Sequence, residues 1–135
     1  MATPKRKKLP KEREGVTHHF TIGKDDGYVT VSWYKDGRLA EVFVKMAKVG
    51  TTVSGFVDAW AMTLSIALQH GVPLQPILDK LKYTRFDPQG PSGSQFGIVT
   101  SVVDYLAKWL EWKFPGGRLA DHPSSSSTKL LESSQ

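Results

Sequence analysis

The chain of 135 residues contains no cysteine. That absence removes disulfides, thiolate zinc sites, redox-active dithiols and any cysteine thiyl radical from its chemistry. It also lacks an apolar run near the roughly 20 residues a membrane-crossing helix needs, and its N-terminus lacks the apolar stretch of a secretory signal. A soluble, intracellular protein without membrane contact is expected. Histidines are few and poorly spaced for metal. His18 and His19 are neighbours that a strand would send to opposite faces, and His70 ends a helical segment, where a hydrogen bond to the last carbonyls is the ordinary expectation. No nucleophile stands beside an assignable base. Asp58 and Asp104 are the acids embedded in strongly apolar stretches, each read as a buried, hydrogen-bonded structural carboxylate. Neither a metal nor a cofactor is expected.

The formal charge of +5 is not spread evenly. Residues 1–14 hold six of the 18 basic residues (Lys5, Arg6, Lys7, Lys8, Lys11 and Arg13) against Glu12 and Glu14, which leaves 12 basic and 11 acidic residues elsewhere. The remainder is nearly neutral and carries no global field for a polyanion. Any nucleic-acid contact would be weak, salt-sensitive and confined to this arm, which has no aromatic residue for stacking; a solvated, solubilising tail is the alternative. The composition divides the chain into a flexible basic arm over 1–15, one α+β domain over 16–114, and a disordered Ser-rich tail over 115–135 that opens with Pro115-Gly116-Gly117.

Three strands are predicted, over Thr17 to Ile22, Tyr28 to Tyr34 and Leu39 to Met46. In the second, Val29, Val31 and Trp33 alternate with Tyr28, Thr30 and Ser32, the two-residue period of a half-buried strand. Asp36-Gly37 between the second and third is a hairpin signal, because both residue types tolerate positive φ. Helical spacing then takes over across Thr51 to His70, bracketed by Gly50 and Gly71, and this segment is apolar on nearly every side. Further helices are predicted over Leu74 to Leu81 and Phe96 to Trp112. The fold class that follows is α+β, a small three-stranded antiparallel meander packed by about three helices. So thin a core for such apolar segments predicts a homo-oligomer, with Tyr28, Tyr34, Phe43 and Trp112 on faces that a second copy covers.

Several short blocks, read in order, resemble one known domain family. They are Leu9-Pro10, Glu12-Arg13, Thr17-His18-His19-Phe20, Gly27-Tyr28-Val29-Thr30-Val31, Asp36-Gly37-Arg38, Val44-Lys45-Met46-Ala47-Lys48-Val49-Gly50, Ser54-Gly55, Ala67-Leu68-Gln69-His70-Gly71-Val72-Pro73-Leu74, Thr84-Arg85-Phe86-Asp87-Pro88, Asp104-Tyr105 and Trp109-Leu110. The series resembles the C-terminal, TSCPD-type domain of class II, adenosylcobalamin-dependent ribonucleotide reductases, here expected to be free-standing. In that family a large α/β barrel generates a cysteine thiyl radical, and cysteines re-reduce the enzyme. A chain without sulfhydryls departs from that chemistry, so the resemblance implies fold and ligand type, not reductase activity. It implies a non-catalytic accessory module that binds a nucleotide-like phosphate ligand or assists a separate reductase catalytic subunit. Two alternatives stand beside it: a phage-type sponge for cyclic or phosphorylated nucleotide immune signals, and a nucleic-acid-binding accessory protein. The expected setting is the cytoplasm of a bacterium or phage-infected bacterium.

Two segments carry candidate ligand contacts. Lys45, Lys48, Thr51, Thr52 and Ser54 lie where the third strand meets the first helix, and free N–H groups, hydroxyls and cations at a helix start suit a phosphate. Ordinary N-capping by Thr51 or Thr52 with solvated lysines is the competing reading. Arg85 and Phe86 introduce a Gly/Pro/Ser-rich loop, Asp87 to Gln95; Arg85 could grip phosphate while Phe86 stacks on a base. Against that stands Arg85 paired with Asp87 or Asp79, and Phe86 packed in the core.

Overall fold

The computed structural model describes residues 5–48 and 50–122. Strands β1 (Gly15–Ile22), β2 (Asp25–Trp33) and β3 (Leu39–Met46) form an antiparallel meander in that order. Helices α1 (Thr52–Gln69), α2 (Leu74–Leu81) and α3 (Val102–Lys113) follow, with a two-residue hairpin of β4 (Gly90–Pro91) and β5 (Ile98–Val99) before α3. The α+β class, the meander and the three helices are as the residue pattern predicts.

Alternation decides which face of the sheet is covered. Val29, Val31 and Trp33 of β2 join Phe20, Ile22, Val42, Val44 and Met46 in one core with Leu64, Leu68, Leu78, Leu106 and Leu110 of the helices. The opposite face stays wet: Thr17 and Thr30 share a hydroxyl hydrogen bond of 2.9 Å, while Tyr28 and Phe43 lie about half exposed there. Helix α1 does not lie over the middle of the sheet. It runs against β3, whose outer edge would otherwise present unpaired backbone groups. The Ser65 hydroxyl accepts from the Val42 N–H at 2.9 Å and donates to carbonyl oxygens of Val42 and Ala61, and Gln69 donates to the Ala40 carbonyl at 3.0 Å. Two polar side chains on the buried side of α1 therefore cap the sheet edge.

The Asp36-Gly37 turn differs from a tight two-residue hairpin. Only Gly37 takes positive φ, at 90°, while Gly37 N–H donates to the Tyr34 carbonyl and Tyr34 N–H to the Arg38 carbonyl. This is a type I turn followed by a left-handed residue, the three-residue alternative. Helix α3 begins later than Phe96. Gly97 has φ 64°, and Ser101 supplies the N-cap, its hydroxyl accepting from Asp104 N–H at 2.9 Å. Strand β4 thus lies in the expected loop, Asp87 to Gln95, and β5 in the expected first turn of the helix.

Both ends of the domain extend further than composition indicates. Within the arm, Lys7 N–H donates to the Gln69 carbonyl, the Tyr34 hydroxyl donates to the Lys7 carbonyl at 2.7 Å, and Arg13 pairs with Glu41 at 2.9 Å. Beyond Phe114, Leu119 N–H donates to the Gly37 carbonyl, Arg118 bridges Arg38, and His122 is buried. These contacts use backbone groups and single side chains, which leave no periodic signal. Residues 1–4 and the Ser-rich stretch 123–135, part of the expected arm and tail, lie outside the described residues.

Candidate functional site

At the β3–α1 junction the side chains that suggest a phosphate site have other occupations. Thr51 is the N-cap of α1, its hydroxyl accepting from Ser54 N–H at 3.0 Å. Thr52 is exposed in the first turn. Lys48 faces Asp25 at 3.7 Å across a cleft of about 230 Å³ lined also by Asp26, Thr51, Val53, Asp87 and Pro88. Three carboxylates and one ammonium surround that opening, a balance that favours a cation over a phosphate. Lys45 opens elsewhere, into a wider groove of about 510 Å³ between the uncovered sheet face and α1, shared with Tyr28, Thr30, Phe43, Ser54, Gly55 and Asp58. The two lysines therefore do not converge. Asp58, read as a buried structural acid, is exposed at this groove.

The segment after α2 does approach α1. Phe86 meets Phe56 edge-on, with ring centroids 5.6 Å apart, so Phe86 is a packing residue on the flank of α1. Arg85 is exposed and forms no ion pair among the described residues; Asp79 takes Gln75 and Lys82, and Asp87 takes Gln89.

The most tightly organised polar group is one the sequence signals only in part. Asp104 is fully buried and accepts from Tyr83 N–H at 2.6 Å, Thr100 N–H at 3.0 Å and Lys108 Nζ at 3.1 Å. Burial pushes its carboxyl up, but the two backbone donors and the Lys108 ammonium outweigh it and hold the group below the usual aspartate range. The structural role expected of Asp104 is what the geometry shows. The Ser101-x-x-Asp104 spacing is a helix-start signature that points to it. Its partner Tyr83 has no such signal: it sits at φ 68°, the one non-glycine residue with positive φ among those described, 69% exposed, with Lys108 Nζ 4.4 Å from its ring centre.

On the far side of α3, His18 stacks on Trp109 with centroids 4.9 Å apart, and its Nε2 lies 2.8 Å from the Tyr105 hydroxyl. Phe20 and Phe96 complete the aromatic surround of Tyr105. Burial, with His19 and Lys113 nearby, lowers the His18 pKa, and burial raises that of Tyr105 against a hydrogen bond from Ser94. His18 is neutral at pH 7 and serves as a packing element between β1 and α3. His70 caps α1, its Nδ1 2.8 Å from the Ile66 carbonyl. Among the described residues no cluster of three or more His, Asp or Glu side chains could hold a metal. Among the described residues no helix is long and apolar enough to cross a membrane.

Fold and side-chain arrangement define a small α+β domain whose polar groups mostly serve its own architecture. The chain belongs to the TSCPD domain family, which matches residues 2–114. It is similar to a vitamin B12-dependent ribonucleotide reductase of Rhodopirellula baltica, 46% identical over 115 residues, covering 84% of this chain and 11% of that protein. A protein of the same name from Streptomyces avermitilis is 42% identical over 112 residues, 82% of this chain and 12% of that one. Another from Agrobacterium fabrum is 32% identical over 123 residues, 90% of this chain and 10% of its own length. The chain thus spans only about a tenth of the relatives it matches. No solved structure matches it significantly.

Proposed function

We propose that this chain is a non-catalytic accessory module of ribonucleotide reduction, acting by docking on a separate reductase polypeptide. One observation carries the reading: the likeness to vitamin B12-dependent ribonucleotide reductases runs through the whole domain, yet the chain has no cysteine. A protein that reduces ribose by way of a thiyl radical needs a cysteine thiol to hold the unpaired electron, and this polypeptide has none. What it shares with those enzymes is a fold able to present surfaces, so the function left to it is recognition.

A nucleotide-like phosphate ligand is the finer version of the same reading. Its support is the capped start of α1 with Lys45 and Lys48 nearby and Arg85, which forms no ion pair among the described residues. The ring of Asp25, Asp26 and Asp87 around Lys48 opposes an anion there, which makes polypeptide docking the stronger version.

The test is calorimetry of the full chain against two titrants. One is the Rhodopirellula baltica reductase with its own TSCPD segment deleted; the other is a panel of nucleoside di- and triphosphates and cyclic nucleotides. Saturable binding to the truncated reductase, with little heat from the nucleotides, is expected. Tight nucleotide binding with no reductase binding would transfer the role to small-molecule capture.

A further inference from the structure

Helix α1 is an unusual surface helix. Over 18 residues, Thr52–Gln69, its only charged side chain is Asp58. Val57, Ala61, Leu64, Ser65 and Leu68 face the core, yet Phe56, Met62 and Ile66 are each more than half exposed on the outward side, beside exposed Gly55, Ala59 and Thr63. A helix facing water ordinarily carries charge on that side. The groove beside α1 extends this apolar surface onto the sheet through Tyr28 and Phe43, which are 49% and 50% exposed. Five half-exposed side chains of this size leave on the order of 500 Å² of apolar surface, the upper range of what a monomer shows.

We propose that this face is the interface of a homodimer, formed by packing α1 and the outer face of β2–β3 against the same surface of a second copy. The charges of the groove select that occupant. Lys45 and Asp58 line the same groove, but neither forms an ion pair within the described chain. A covering surface must bring an anion to one and a cation to the other. An isologous two-fold contact does so without any further residue, because Lys45 of one protomer meets Asp58 of its partner and the pair recurs across the axis. The small outward residues Gly55 and Ala59, one helical turn apart, allow the two helices to approach closely; a Cβ at Gly55 would meet nothing within 4 Å in the single chain. The proposal does not depend on the function proposed above.

Sedimentation velocity across a dilution series tests it with the full chain. Wild type is expected to run at twice the chain mass, and Ile66→Glu to raise the dissociation constant at least about tenfold while leaving the circular dichroism spectrum unchanged. Lys45→Asp and Asp58→Lys should each weaken the dimer severalfold, and the double variant should recover most of the loss. A wild type that is monomeric at every concentration would overturn the proposal. So would a dimer indifferent to Ile66→Glu, or a double variant no better than the single ones. Capture of this face by the truncated reductase, with no self-association, would also overturn it while leaving the accessory role standing.

Discussion

A partly buried histidine packed on α3 and a buried aspartate within it set the response of the fold to acid. His18 has a folded-state pKa below the ordinary histidine value, because burial against Trp109 and Tyr105 disfavours the imidazolium. The unfolded chain therefore binds a proton more readily, and stability falls as pH drops below about 6.5. Asp104 is also shifted down, so its contribution is present above the usual aspartate range and is lost only as pH falls through its lower folded-state value. The two windows are separable. Thermal melts from neutral to mildly acidic pH should show a decline that flattens in His18→Phe, whereas Asp104→Asn should leave that slope intact. The same Asp104→Asn change should cost about 2–3 kcal/mol at pH 7, since it turns an acceptor of three donors into an amide that can oppose one of them. Equal stability of Asp104→Asn and wild type in urea would contradict this account of the Tyr83 turn.

The edge of β3 shows how an element is finished by a neighbour. Ser65 sits on the buried side of α1 and satisfies both backbone groups of Val42, with Gln69 serving Ala40 one turn on. Ser65→Ala should destabilise by about 1–3 kcal/mol and speed hydrogen exchange at the Val42 amide, because the void is small but the orphaned N–H is not resolvated. Unchanged exchange at Val42 would mean that the edge is protected some other way. Legibility at this scale follows the strength of the local signal. Strand β3 and helix α2 begin and end where alternation and spacing place them, Leu39–Met46 and Leu74–Leu81. Helix α3 starts at Val102 and not at Phe96, because a left-handed Gly97 and the cap at Ser101 override an apolar run that continues upstream. The β4–β5 hairpin is two residues a side and is closed by Ser92, which donates to the Gly97 carbonyl from both N–H and hydroxyl. No alternating pattern can show in so short a pair.

For the whole molecule, tertiary placement sorts candidates that composition treats alike. Tyr28, Phe43 and Trp112 are exposed as an interface requires, but Tyr34 is buried by this chain itself, under Lys7 and Arg38 with its hydroxyl on the Lys7 carbonyl. Lys45 and Lys48 are three residues apart in sequence and open into different clefts, and the acids that surround Lys48 come from β2 and from the segment after α2. Distances in sequence could not reveal that ring of carboxylates. The absence of cysteine, in contrast, is complete in the sequence and needs no structure to interpret.

The accessory role rests on that absence, and ribonucleotide turnover measures it most directly. A Rhodopirellula baltica reductase lacking its TSCPD segment would be assayed for deoxyribonucleotide formation with and without this chain, alongside this chain alone. The account predicts no product from the chain alone and a rise in the truncated enzyme's rate when the chain is added. Product from the chain by itself, or a truncated enzyme that binds it and gains nothing, would contradict it.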